Sequence, residues 1–362
     1  MAGFAQSVRP SELNDFVLAV RQKLGKGITD IVSTAHPIYK MLEATAGGIR
    51  YESPGLGPVE DVLAATEDRT MVLSMSSQVK EKSYAPTENF ARAYYDWLML
   101  VTTMMIPKMT YLNWQNAEQA FNYVKEKQAA QDISVKTKIV NMIWHGLTEG
   151  QEYVNGLDEI VQFVTTTAPT RGSVGRMNIT KFPTWKNKTA NYNGAFATYS
   201  SGTQVKTFLD DGANSLLGLY MDCGNTREGE KGQENAFPNL APCNAVLYRY
   251  LHQLAEKKLI FRDQKQVDLL GVDSFRWNNA AIFYDPDCPD DPNVSTYGVI
   301  FLLNTSYLSF VKATGIEKLW SAMAELPNVT AYGCEETTQC SFTTKDRRRH
   351  GVCYGIQPIS VS

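Results

Sequence analysis

Apolar residues recur at helical spacing in several separate stretches of this chain. From Ser11 to Leu24 they fall at Leu13, Phe16, Val17, Val20 and Leu24, with Ser11 placed to cap a short helix and Gly25 and Gly27 to stop it. From Asn116 to His145, Ala117, Ala120, Phe121 and Val124 form a stripe that Val135, Ile139, Met142 and Ile143 resume. This predicts one helix over about 116–145, roughly 45 Å long, whose polar middle (Lys125 to Asp132) faces solvent or kinks. Val205 to Met221 and Ala245 to Lys258 predict two further helices, and Ile316 to Leu326 a last short one.

Between these the period changes to two. Tyr94 to Tyr111 sets Tyr95, Trp97, Met99, Val101 and Met105 on one face and Leu98, Leu100, Met104 and Ile106 on the other. Both faces are apolar, so the pattern predicts a strand covered on both sides and limited or bent by Pro107. Arg276 to Tyr284, Tyr297 to Leu303 and Arg349 to Ile356 predict the other strands. The fold class is α+β.

Two segments have no core of their own. The first is the N-terminal arm, whose helix and second apolar patch (His36 to Leu42) are too small to fold alone. The second runs from Ile49 to Lys82, contains SPGLGP at 53–58, and far exceeds the ~12–15 residues beyond which connections are usually functional or disordered. Partial alternation from Arg69 to Lys82 predicts an extended, two-stranded loop.

Composition narrows the function classes. With 362 residues, 43% hydrophobic and 20% charged, the chain suits two globular domains, or one with insertions, and needs no disulfide or metal staple. A net charge of −3 argues against a dedicated nucleic-acid binder. The N-terminus carries no apolar run fit for a signal peptide, and the stretch from Leu98 to Ile106, broken by Thr102 and Thr103, is too short to span a membrane. No membrane partner is expected. The six cysteines form no C-x-x-C pair and are expected to be reduced, mostly buried thiols.

Catalytic patterns are missing. There is no phosphate-binding G-x-x-x-x-G-K-[ST] and no G-x-G-x-x-G, and Ser173 in RGSVG has Arg171 where a nucleophile elbow needs glycine. His36, His145, His252 and His350 are scattered. Asp285, Asp287, Asp290 and Asp291 are the best metal candidates, but Pro286, Pro289 and Pro292 interrupt any calcium-loop spacing, so a solvated turn is expected, with no metal and no cofactor. The basic run from Lys345 to His350 is expected to place Arg347, Arg348 and Arg349 against a neighbouring subunit.

Four passages resemble the major capsid proteins of tailed bacteriophages, the shell fold named after phage Hong Kong 97. HPIYKMLEATAGGIRYESP (36–54) resembles the family's passage from N-arm into extended loop, where an apolar patch meets paired glycines and an Ile or Val strand. YVNGLDEIVQF (153–163) and then GSVGRMNITKFPTWKNKTA (172–190) resemble its "GLD" run, glycine turn and "W-x-N" element, with Trp185 and Asn187 in place. FLLNTSYLSF (301–310) and RRRHGVCYGI (347–356) resemble its late strands. One departure is Val174-Gly175-Arg176, where paired glycines are common.

The resemblance implies an N-terminal arm (1–46), an extended loop (47–88), a peripheral domain with the spine helix (89–200), an axial domain (201–315) and a return to the peripheral domain (316–362). It implies hexamers and pentamers of one chain forming an icosahedral shell in the virion, assembled in the host cytoplasm. The shell would enclose double-stranded DNA without sequence-specific binding, with portal, scaffold and decoration proteins as further partners. Phe4, Phe16 and Val20 of the arm and Val62, Met71 and Leu73 of the loop would then contact neighbouring subunits. Lys80 and Lys82 lie in that loop, but no partner for covalent cross-linking is identifiable. Two other readings are a cellular nanocompartment shell of the same fold and, in another class, a cysteine hydrolase using Cys334 or Cys353 with His350.

Overall fold

A computed structural model describes residues 36–55, 57–63, 90–112, 117–164, 173–200, 203–210, 212–224, 237–256, 261–262, 274–327, 329–358 and 360–361. The helix expected at 11–24, the loop strands expected at 69–82, and Phe4, Phe16, Val20, Met71 and Leu73 lie outside these residues.

The described chain opens with α1 (Pro37–Ala44), which has proline at its first position and buries Ile38, Tyr39, Met41 and Leu42. Gly48 then approaches so closely that a Cβ there would sit 2.1 Å from the Leu42 carbonyl oxygen, which explains the glycine before β1 (Ile49–Glu52). β2 (Val59–Leu63) and β3 (Phe90–Tyr94) pair antiparallel and form the stem of the long connection. There follow β4 (Leu98–Pro107), α2 (Lys108–Leu112), α3 (Ala117–His145), the hairpin of β5 (Leu147–Glu149) and β6 (Glu152–Val154), and α4 (Leu157–Ile160). β7 (Lys188–Ala195), β8 (Ala197–Ser200), β9 (Thr203–Thr207), α5 (Leu216–Gly224), β10 (Leu240–Cys243) and α6 (Ala245–Glu256) come next. The remaining strands are β11 (Phe261–Arg262), β12 (Ser274–Trp277), β13 (Ala280–Tyr284), β14 (Gly298–Leu302), β15 (Leu308–Ala313), β16 (Leu319–Trp320), β17 (Ala324–Glu325), β18 (Ala331–Thr344), β19 (Gly351–Gln357) and β20 (Ser360–Val361).

Two large sheets organise these elements. In the first, β18 pairs with β4 along 331–340 and with β15 at 340–344, β1 runs parallel to β15, and β16 and β17 pair with β18. The second has the order β11-β12-β13-β10-β14-β19-β7. Its central strands β10, β13, β14 and β19 are buried on both faces along most of their length, as strands covered on both sides require. Val299, Phe301 and Leu303 point into a core shared with Trp144, Trp185, Phe310 and Phe342, while Ile300 and Leu302 point into another with Leu219 of α5 and Leu247 and Leu251 of α6. Trp144 meets Phe301 edge-on at 5.4 Å, so the end of α3 rests on the second sheet.

The topology departs from several expectations. The helix expected at 205–221 is divided into β9 and α5, because Thr207 hydrogen-bonds Asp210 (2.7 Å), Gly212 takes a φ of +92°, and Ser215 caps α5 by accepting from the Gly218 N–H. The helix expected at 316–326 is instead β16 and β17, two short pairings against β18. The strand expected at 276–284 is a hairpin, turned at Asn278 with a φ of +50°. β7 and β19 complete the second sheet, and β15 belongs to the first. Among the described residues, no helix is long and apolar enough to cross a membrane.

The turn between β18 and β19 buries His350 fully. Its Nδ1 accepts from the Asn304 N–H at 3.2 Å, which leaves Nε2–H to donate to Thr344 Oγ1 at 3.3 Å. Burial first, then the guanidinium groups of Arg347 and Arg349, hold its pKa down to about 3. The unfolded chain therefore takes up a proton near pH ~6.5 that the folded chain refuses, so stability present above that pH is lost as the pH falls toward 3. Between pH 7 and pH 5 this residue is expected to cost about 2 kcal/mol of folding stability. Thermal unfolding at the two pH values measures it, and His350→Gln should reduce the difference by that amount.

Candidate assembly surfaces

β4 carries the most exposed apolar surface of the first sheet. Alternation turns Leu98, Met104 and Ile106 inward, where α3 packs, and leaves Met99, Val101 and Met105 outward, 59%, 51% and 48% exposed. Register extends this face: Met99 lies opposite Gln339, Val101 opposite Thr337 and Met105 opposite Gly333, while Leu319 (53% exposed) lies opposite Thr337 on the other flank of β18. The expectation that β4 is covered on both sides is therefore corrected; α3 covers one face only. Among the described strands, β4 pairs with β18 alone, so no described strand occupies its other edge. Beside it a groove of about 520 Å³ opens, lined by Leu98, Leu100, Val135, Lys138 and Leu147 among others. An exposed apolar sheet face is a surface built for association.

The residues expected at interfaces lie differently. Val62 is only 5% exposed and packs into the chain's own core, so it has no side-chain surface to offer a neighbour. Arg347 and Arg349 are also turned inward, which leaves them no side-chain surface for the subunit contact expected of the run, while Arg348 is half-buried. Arg347 is 1% exposed. Its Nε donates to the Ile160 carbonyl (2.8 Å), its Nη1 to the Trp185 carbonyl (3.3 Å), and its Nη2 to the Glu159 carbonyl (3.1 Å), Gln162 Oε1 and Asn187 Oδ1. Burial lowers its pKa to about 10, so it remains charged at neutral pH. Arg349 is 3% exposed, donates to the Gly224 carbonyl and stacks over the Tyr307 ring at 5.2 Å. Arg348 makes a two-pronged pair with Asp346, 3.0 Å on each arm.

These contacts give the sequence passages their meaning. The "GLD" run supplies α4 and the carbonyls that Arg347 holds. Asn187 ties itself to Gln162 in both directions, accepting from its N–H and donating to its carbonyl. Trp185 Nε1 donates to the Val174 carbonyl at 3.0 Å. Gly175 has a φ of +61° and stands where a Cβ would meet the Ala93 side chain at 2.6 Å, so one glycine serves where a pair was expected.

The geometry also bears on the other chemistry considered. All six cysteines are free and buried. Burial raises the Cys353 thiol to about 12 while His350 is held neutral, the reverse of a thiolate–imidazolium pair, and both nitrogens of His350 are engaged elsewhere. The four aspartates of 285–291 do not converge as a calcium loop would. Asp291 accepts from the Asn293 and Gly355 N–H groups, Asp290 from Asn244, and Asp285 turns inward to Trp144.

No protein-family model and no curated protein matches this sequence. Solved structures do match. A chain of the Cyanophage A-1(L) capsid superposes with a TM-score of 0.53 at 14% identity, covering 88% of this chain and 92% of that one. This chain has a phage-capsid fold. A chain of Mycobacterium phage Patience also aligns, with a TM-score of 0.48 at 10% identity, covering 95% of this chain and 88% of that one. An SrpI encapsulin from Synechococcus elongatus is similarly distant (TM-score 0.46, 9% identity, 88% of each chain covered). The α+β capsid fold that the "GLD" and "W-x-N" passages implied is the fold observed.

Arg347 is the residue on which this region of the capsid fold turns. Arg347→Met keeps most of the volume but strips several buried acceptors of their donor. It is expected to destabilise the chain by roughly 3–5 kcal/mol, read from urea denaturation, with Arg347→Lys recovering only part.

Proposed function

We propose that this chain is a major capsid protein that assembles as hexamers and pentamers into an icosahedral shell around a packaged phage genome. The observation that carries the reading is the capsid fold, matched over 88% of this chain and 92% of a cyanophage capsid chain. The uncovered apolar face of β4 supports it, since obligate interfaces bury ~2,000–5,000 Å² and are rich in such surface. In this reading Phe4, Phe16 and Val20 of the arm, and Met71 and Leu73 of the loop, are buried by neighbouring subunits. The role is structural rather than enzymatic. The site of action is the virion, after assembly in the host cytoplasm, with portal, scaffold and decoration proteins as partners. A net charge of −3 suits a container that confines DNA without gripping it.

Electron microscopy of the purified full-length protein tests this. Closed shells or capsomers are expected, and a discrete monomer at high concentration would overturn the proposal. Nuclease-protected phage DNA inside native particles separates a virion from a nanocompartment filled with protein cargo. The double variant Met99→Glu/Val101→Glu is expected to keep the circular dichroism of the parent while reducing shell yield at least tenfold. Parental yield would show that the β4 face is no interface.

A further inference from the structure

Three polar side chains from distant parts of the chain converge beside Trp144. His36 immediately precedes α1, and Asp285 and Asp287 lie in the turn that leaves β13. His36 is 6% exposed, Asp285 is 1% exposed and Asp287 is half-buried. His36 Nε2 stands 3.2 Å from Asp285 Oδ2, and a nitrogen or oxygen from each of the three lies within 4.8 Å of the others. Yet no hydrogen bond reaches either nitrogen of the His36 ring. A buried polar group left unsatisfied carries a desolvation penalty, and here Nδ1 has no partner while Nε2 meets only the Asp285 carboxylate, without hydrogen-bond geometry.

The charge around it is negative. Among the described residues, no lysine or arginine pairs with Asp285 or Asp287. Asp285 is nevertheless held firmly. Its Oδ2 accepts from Trp144 Nε1 at 3.0 Å and its Oδ1 from the Asp287 N–H at 3.1 Å. A carboxylate fixed by outer hydrogen bonds and facing an imidazole at 3.2 Å, with no hydrogen bond between the two, is an arrangement that a cation bound between them would complete.

We propose that His36, Asp285 and Asp287 bind one divalent transition-metal ion of the zinc class. Two ligands about 2.1 Å from zinc sit roughly 3.4 Å apart across a tetrahedral edge, close to the separation of His36 Nε2 and Asp285 Oδ2. One imidazole and two carboxylates favour a first-row transition ion over calcium, which takes oxygen ligands. Asp287, the most accessible of the three, marks the side where water would complete the coordination. The ion would link the start of α1, the last turn of α3 through Trp144, and the connection from β13 to β14. It would fix the point from which residues 1–35 depart. This proposal does not depend on shell formation.

The test uses the full-length protein, stripped with EDTA, dialysed and titrated with zinc by calorimetry, with bound metal counted by mass spectrometry. One zinc per chain and a zinc-dependent rise in Tm are expected. Asp287→Asn, at a half-buried position that keeps the fold, should weaken binding at least tenfold, and His36→Ala at least as much. Cobalt in place of zinc should absorb without a thiolate charge-transfer band. The proposal is overturned if the parent binds no zinc at about 1 mM, if Asp287→Asn binds as the parent does, or if the cobalt spectrum shows thiolate ligation.

Discussion

The Arg347 guanidinium is the constraint on which the rest of this fold depends. α4 is a single turn, and the carbonyls at its end find no partners within so short a helix. Glu159 and Ile160 present theirs to the interior, and Trp185 presents another from across the loop. One planar cation with five donors meets all three and two side-chain oxygens besides, which a lysine could not do. The charge survives burial because these acceptors surround it. Tyr95 adds a second tie from the other side, donating its hydroxyl to the Thr344 carbonyl at 2.8 Å three residues before Arg347. The chain ahead of β4, the turn after β18 and the loop carrying Trp185 are thereby fixed to one another.

That arginine also explains what could and could not be seen in the sequence. The passages carrying the resemblance were legible because Asn187, Trp185 and the α4 carbonyls are local polar fixtures with fixed spacing. Their common partner was not, since three consecutive arginines in a run of charge look like a solvated or intersubunit surface. Only the folded chain shows that Arg347 and Arg349 point inward while Asp346 answers Arg348. α3 was legible to within a residue because its apolar stripe resumes in phase after the polar middle. That middle is not simply solvated, however: Gln128, Gln131 and Asp132 are buried, with Asp132 paired to Lys318. β18, the longest strand, escaped notice. Its 14 residues mix Glu, Thr and Gln on the outer face with buried Glu336 and Thr338 inside, so no clean alternation survives. β4 was recognised as a strand, but one of its apolar faces was taken for core.

The two sheets resolve the same problem differently. The central strands of the second are buried on both faces, by α5 and α6 on one side and by the shared core on the other. They finish their burial within one chain. The first is covered by α3 on one side and presents Met99, Val101, Met105 and Leu319 on the other. Propensity alone cannot tell these cases apart, because each strand merely reads as apolar. What distinguishes them is how many helices the chain supplies, and that depends on connectivity.

Charge and apolar surface are therefore distributed against the usual order. Arg347, Arg349, Asp285 and Glu159 are buried, while an apolar sheet face looks outward. Buried polar groups hold a loop-rich subunit in one shape at some expense in stability, and the apolar face recovers free energy only when something covers it. In the proposed shell, a second copy of the same chain is the covering surface, always present at matching concentration. The small net charge helps, because many copies brought edge to edge repel each other weakly. Rigidity inside the chain and adhesion outside it are the two properties that the proposed shell would require. In this chain the first comes from its buried polar ties and the second from strands its own helices do not reach.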